Sequence, residues 1–166
     1  MLFISTNELD CFQFHDATIK EITLADNTMA WKVLDINAMT TNTQNNNEKD
    51  MCIKEATMFF DEILIGKIEF GAYATYDSDR NLIQSVGART ERAEEYDKIL
   101  RESTDKFCFI YGMDGFVKLE DERYRVCFNI DCGVGNYYLT FSFSESIVKW
   151  AEYSGEAWYE HPKWKK

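Results

Sequence analysis

The chain has 166 residues, of which 45% are apolar, 28% charged and 15% aromatic, and its single proline and eight glycines exclude collagen-like, linker-rich and disordered classes. This length hides roughly 68–70% of the unfolded surface, so one domain spanning 1–166 is expected to fold without a disulfide or metal staple. Eighteen Lys and Arg against 29 Asp and Glu give a formal charge of −11, a field that repels nucleic acid and anionic membranes and steers basic proteins inward.

In chain order, the first clear pattern is at 18–24 and 29–33, two runs flanking the turn-prone Asp26-Asn27. They predict a hairpin, with a bulge where alternation breaks between Val33 and Leu34. The wholly polar stretch 40–50 predicts a mobile loop and the favoured site for a protease. Strands are expected at 52–60 and 67–73, then a turn at 77–81. Across 91–103, Ala93, Tyr96, Ile99 and Leu100 recur at helical spacing, with Thr90 placed as N-cap and Glu94–Lys98 and Asp97–Arg101 as i,i+4 pairs. The run 106–111 is apolar on both faces and predicts a central strand covered on both sides. Strict alternation of Tyr124, Val126, Phe128 and Ile130, a turn carrying Gly133 and Gly135, then Tyr137, Leu139, Phe141 and Phe143 predict a second hairpin. The fold expected is α+β: a mainly antiparallel β-sheet, barrel or sandwich, of about 7–9 strands with one amphipathic helix near 91–103 and a frayed tail at 162–166.

Cys11, Cys52, Cys108, Cys127 and Cys132 form an odd set without a C-x-x-C pair, which predicts a reducing compartment, with Cys52, Cys108 and Cys127 as core or near-core residues. The start, 1–8, lacks the positive charge and apolar length of a signal peptide, and no run reaches the roughly 20 apolar residues of a membrane span, so a cytoplasmic location is expected. His15 and His161 are the two histidines. His15 beside Asp16 has the make-up of a general base oriented by a carboxylate. Without an elbow to position a nucleophile, a structural turn is the simpler expectation. Asp77, Asp79 and Asn81 match the first oxygen positions of a calcium loop. Leu82 and Ala88 then stand where its glycine and bidentate glutamate belong, so a hairpin turn is expected instead. No zinc-type spacing occurs, and no metal or cofactor is expected. Near the C-terminus Glu152, Tyr153, Glu156, Trp158 and Glu160 interleave rings with carboxylates, the mixture by which a basic partner would be held. The plainer alternative packs Trp150 and Trp158 on the sheet and leaves the acids solvated.

Two segments carry a resemblance. Phe14-His15-Asp16-Ala17-Thr18-Ile19 and the stretch from Trp150 through Tyr153, Gly155 and Ala157 to Trp158 resemble uncharacterised bacterial β-rich domains that open with F-H-D-x-x-I and close with W-x-x-(Y/F)-x-G-x-A-W. The resemblance implies no catalytic residues. In style, a small acidic aromatic-rich chain without a catalytic set is also similar to the immunity proteins that neutralise toxins. The function expected is a non-catalytic cytoplasmic module that binds a basic protein, with toxin neutralisation its most concrete form. A small-ligand-binding β-barrel is the alternative, and a hydrolase using His15 and Asp16 the third reading.

Overall fold

Residues 2–163 are described in the computed structural model, so 164–166 of the expected frayed tail lie outside the described residues. These form fourteen strands and one α-helix: β1 Phe3–Thr6, β2 Phe12–Gln13, β3 Ala17–Ala25, β4 Thr28–Ala38, β5 Met51–Asp61, β6 Leu64–Phe70, β7 Tyr73–Tyr76, β8 Leu82–Val86, β9 Arg89–Thr90, α1 Tyr96–Glu102, β10 Cys108–Lys118, β11 Tyr124–Cys132, β12 Gly135–Phe143, β13 Glu145–Trp150 and β14 Gly155–Glu156. Both anticipated hairpins form. Asp26 and Asn27 adopt left-handed φ of 47° and 62°, the backbone that a tight two-residue turn requires, and close β3 on β4. Pairing of β11 with β12 runs from Tyr124–Phe143 to Cys132–Gly135 and buries Val126, Phe128, Ile130, Tyr137, Leu139, Phe141 and Phe143 on one side. Gly135 ends that hairpin at φ 128°, where an added Cβ would meet the Phe70 ring at 3.1 Å.

The strand order is β1-β13-β5-β4-β3-β10-β11-β12-β6-β9, all antiparallel, with β2 on β4 and β14 on β5, while β7 and β8 form a separate two-stranded ribbon. In place of a closed barrel of 7–9 strands, the chain thus builds a twelve-stranded open sheet and the ribbon. The added strands escaped the reading because β1, β2, β9 and β14 are two to four residues long, too short to establish a period. Only two residue pairs, Thr18–Phe109 and Ala17–Ile110, join β3 to β10. At this narrow seam the sheet folds over, bringing five strands on either side face to face: Trp31 of β4 lies 5.0 Å from Phe128 of β11, and Phe60 of β5 lies 5.0 Å from Phe141 of β12. Both rings of each pair are buried, so apolar area removed from water drives the folding-over.

Three local expectations need correction. The bulge lies on β3 between Ile19 and Glu21; at Val33–Leu34 the pairing of β4 with β5 stays in register while both strands change their buried face, from Val33 and Ala56 to Ile36 and Ile53, with Asp35 at φ 60°. The helix covers Tyr96–Glu102 after a 3₁₀ turn at Ala93–Glu95, because Thr90 is taken into β9 opposite Glu69 and cannot act as a cap. Asp97 and Arg101 do pair at 2.8 Å, whereas Glu94 turns to Arg92. Strand 106–111 is central in the sheet but covered on one side only: Cys108 and Ile110 point inward, and Phe107, Phe109 and Tyr111 face solvent. Of the cysteines expected in or near the core, Cys108 is buried and Cys52 and Cys127 are half-buried; Cys132 is buried as well.

The polar segment 40–50, expected to be mobile, is fastened at several points. Asn42 Nδ2 donates to Ser5 Oγ, Asn45 Nδ2 donates to the carbonyls of Ala38 and Lys49, Asn45 Oδ1 accepts from the Asn47 N–H, and the Tyr153 hydroxyl donates to the Gln44 carbonyl. Asn42 and Asn45 are buried, so these bonds satisfy groups that water cannot reach. Among the described residues no helix is long and apolar enough to cross a membrane.

Candidate functional site

Between β2 and β3 the chain alternates in the way its polarity dictates: Phe14 enters the core, His15 points out, Asp16 takes φ 66°, and Ala17 returns inward. The Asp16 N–H donates to the Ile110 carbonyl at 3.0 Å and the Ala17 N–H to the Phe14 carbonyl at 2.9 Å, which sets the turn against β10. There His15 Nδ1 donates to the Tyr111 carbonyl at 2.9 Å, and its Nε2 lies 3.5 Å from the Asp16 carboxylate.

Opposite this turn stands the C-terminal segment. β14 pairs with the start of β5 (Gly155–Cys52), the Ser154 N–H and hydroxyl both donate to the Cys52 carbonyl, and the Ala157 N–H donates to the Asp50 carbonyl. The Tyr159 hydroxyl donates to Asp50 Oδ2 at 2.8 Å; burial, reinforced by that carboxylate, raises the phenol and keeps it a donor. Trp158 is set edge-on against Tyr159 and remains 56% exposed. Between the two segments lies an open cleft of about 550 Å³ lined by His15, Asp16, Asp35, Asn37, Cys52, Ser154, Gly155, Glu156 and Trp158. Asn37 is 2% exposed, and its side-chain carbonyl has no hydrogen-bond partner among the described residues. A second hollow of about 270 Å³, formed by Asp16, Phe109, Ile110, Tyr111 and Asp131, adjoins it through Asp16. Phe107 stacks on Phe109 at 5.8 Å and extends the aromatic surface along β10. The result is one continuous band of rings and carboxylates.

The five residues expected to hold a partner do not form one face. Glu156 and Trp158 line the cleft. Tyr153 is structural: its ring packs on Phe3 at 4.9 Å and on Trp150 at 5.8 Å. Glu160 accepts from the Asp50 N–H at 3.4 Å. Glu152 lies in a different groove with Lys54, Glu55, Phe59 and Lys149. Trp150 and Trp158, treated alike by the sequence reading, part company, the first 2% and the second 56% exposed. Glu120, Asp121 and Glu122 sit at the far end of the strands, in the β10–β11 turn, on the side where Asp26, Asp61 and Glu62 occupy other turns. Acidic groups therefore gather at both ends of the sheet.

Chemically, the cleft offers acceptors and apolar faces. His15 Nδ1 donates to the Tyr111 carbonyl and the Ser154 hydroxyl is committed to a backbone carbonyl; among the described residues no serine, threonine or cysteine side chain is hydrogen-bonded to His15. Among the described residues no group of three or more His, Cys, Asp or Glu side chains is placed to hold a metal ion. Asp35, Asn37, Cys52, Phe109, Tyr111 and Asp131 were not singled out from the sequence. The one available signal was the period-two spacing of Phe107, Phe109 and Tyr111. Comparison with protein-family models, with curated proteins and with solved structures found no match to this chain.

Proposed function

We propose that this chain is a non-catalytic protein-binding module that docks a basic protein on the band running from Phe107 and Phe109 through Tyr111 and Asp16 to Glu156 and Trp158, with cytoplasmic neutralisation of a basic toxin as its most concrete form. The supporting observation is that the exposed Trp158 ring lines an open cleft with Asp16, Asp35 and Glu156, while the exposed Phe109 and Tyr111 rings line, with Asp131, a hollow that shares Asp16 with it. Large rings supply contact area at low entropy cost, and carboxylates beside them steer and orient a cationic surface. Lys49–Glu156 at 2.7 Å and Lys54–Asp35 at 2.9 Å are exposed pairs. Such pairs hold little energy, so a partner's lysine or arginine displaces the internal one at small cost. The Asn37 carbonyl adds an acceptor for a donor reaching the cleft floor.

The other two readings receive less support. Between the folded-over halves the space is filled by Trp31, Phe60, Phe128, Phe141 and Phe143, all buried, which leaves an internal small-ligand site without a location there. A hydrolase would need a nucleophile in contact with His15.

The test is capture of partners from the native host on the immobilised full chain. A captured protein of basic pI is expected, released at about 1 M salt, where the screening length is about 3 Å. The double variant Asp16→Asn, Glu156→Gln should weaken its capture, while Glu120→Gln, Glu122→Gln should not. Capture insensitive to salt, or weakened only by the second pair, would remove this reading of the band.

A further inference from the structure

Beneath the band, on the inner face of the same strand, two buried thiols face each other. Cys108 opens β10 and Cys132 closes β11, directly opposite in the strand register. The loop of Gly133 and Val134 makes Cys132–Gly135 the last pair of the β11–β12 hairpin, so the backbone groups of Cys132 turn toward β12. On the β10 side the bond falls one residue further out, from the Gly133 N–H to the Phe107 carbonyl at 3.2 Å. Cys108 and Cys132 therefore form a non-hydrogen-bonded cross-strand pair, the geometry with Cα atoms about 4.5 Å apart. That spacing lies inside the roughly 4.4–6.8 Å that a disulfide spans.

Both sulfurs are free, and each thiol shifts the titration of the other. Cys132 Sγ donates to the Gly135 carbonyl at 3.4 Å, and the Ser103 hydroxyl and the backbone of Val134 lie around the same sulfur. Ser103 is itself held by the Ile99 carbonyl at 2.7 Å and the Tyr137 hydroxyl at 2.8 Å. The Cys108 thiol is the largest influence lowering Cys132, while Cys108, the later of the two to give up its proton, is raised. Cys132 also lines an open cleft of about 470 Å³ with Phe70, Arg89 and Gly133–Asn136. An attacking and a resolving thiol thus face each other, and Cys132, 2% exposed, borders an open cleft.

We propose that Cys108 and Cys132 are a redox pair that closes a reversible cross-strand disulfide in response to a hydroperoxide. The Cys132 thiolate attacks the terminal peroxide oxygen; the O–O bond breaks, the remaining alkoxide takes a proton and leaves as alcohol, or as water when the oxidant is hydrogen peroxide. Cys132 is then a sulfenic acid. The Cys108 sulfur attacks Cys132 Sγ, the S–S bond forms, the S–O bond breaks, and the hydroxyl departs as water with the Cys108 proton. Two thiols lose two electrons in all, and the hydroperoxide gains them. Because Cys108 stands between Phe107 and Phe109, the bond fixes the strand that carries the exposed rings.

The experiment treats the reduced full chain with hydrogen peroxide, alkylates it under denaturing conditions and maps its peptides by mass spectrometry without reductant. The expected product has lost two hydrogens, links Cys108 to Cys132 with fragment ions that separate Cys132 from Cys127, leaves Cys11, Cys52 and Cys127 alkylated, and reverts with dithiothreitol. In Cys108→Ser the sulfenic acid should persist on Cys132 and be trapped by dimedone. Full alkylation of Cys108 and Cys132 after peroxide, or linkage through any other cysteine, overturns the proposal.

Discussion

The ring of Trp31 on β4 meets that of Phe128 on β11 with centroids 5.0 Å apart, although three strand-to-strand steps separate those strands within the sheet. This contact, with Phe60 at 5.5 Å and Phe141 at 6.2 Å around the same indole, fastens the halves that meet only narrowly at β3–β10. Removing the ring leaves a cavity that the surrounding aromatics cannot fill, so Trp31→Ala should cost about 3–5 kcal/mol. Trp31→Phe should cost clearly less, because the indole N–H has no acceptor among the described residues and its loss leaves nothing unpaired. Urea unfolding with an unchanged m-value checks both, and a loss below about 1 kcal/mol for Trp31→Ala would mean that the indole is not the element joining the halves.

Asn45 does for the 40–50 segment what a strand ladder does elsewhere: its amide bridges the carbonyls of Ala38 and Lys49 while its oxygen receives the Asn47 N–H. Asn45→Ala leaves those buried partners unpaired and should destabilise by about 1–3 kcal/mol. The neighbouring Asn46 is exposed, and Asn46→Ala should change stability by less than about 0.5 kcal/mol. Limited proteolysis should show rapid cleavage within 40–50 for the first variant only. Equal nicking of both and of the native chain would return the segment to the status of a mobile loop.

That contrast shows what was legible. Period-two alternation along Tyr124–Ile130 and Tyr137–Phe143, and the Asp26-Asn27 turn, are local signals, and the hairpins follow from them directly. A run such as Asn45-Asn46-Asn47 reads as uniformly polar because nothing local distinguishes the amide that turns inward from the two that do not. The cleft was hidden for a related reason. Its walls come from positions 15–16, 35–37, 52 and 154–158, which meet only after β14 docks on β5 and the β2–β3 turn docks on β10. Phe107, Phe109 and Tyr111 gave a period but not its sense: apolar side chains on both faces of a strand signal two covered faces unless one is left open for a partner.

At the tip of the β7–β8 ribbon, Asp77 accepts from the Asn81 side-chain amide at 3.0 Å, the Asn81 N–H at 2.8 Å and the Asp79 N–H at 2.9 Å. The bonds from Asn81, the side-chain amide first, hold the Asp77 carboxyl below its usual range. A carboxylate depressed in the folded state stabilises the turn fully above its unfolded value, about 3.9, and that contribution is lost as pH falls through the lower folded value. The Asn81 amide resonance should therefore keep its folded position down to about pH 4 and move below it. Asp77→Asn should abolish this movement. A midpoint at or above the unfolded value would mean that the turn does not hold Asp77 ionised.

Tyr111 and Trp158 are half-exposed; Trp158 lines the cleft, and Tyr111 lines the hollow that shares Asp16 with it and accepts from His15 through its carbonyl. Truncating an exposed ring removes little folding energy, so Tyr111→Ala and Trp158→Ala should unfold within about 0.5 kcal/mol of the native chain. Binding should respond differently. Central aromatic anchors act after encounter, so each substitution should weaken the captured basic partner by about 2 kcal/mol or more, roughly 30-fold, and almost wholly through faster dissociation. Asp16→Asn acts before contact: it should slow association and flatten its salt dependence while leaving dissociation nearly unchanged. Surface plasmon resonance over a salt series separates the two rates. Ring variants that slow association alone, or an Asp16 variant that only speeds dissociation, would contradict the division of labour by which carboxylates steer and rings anchor.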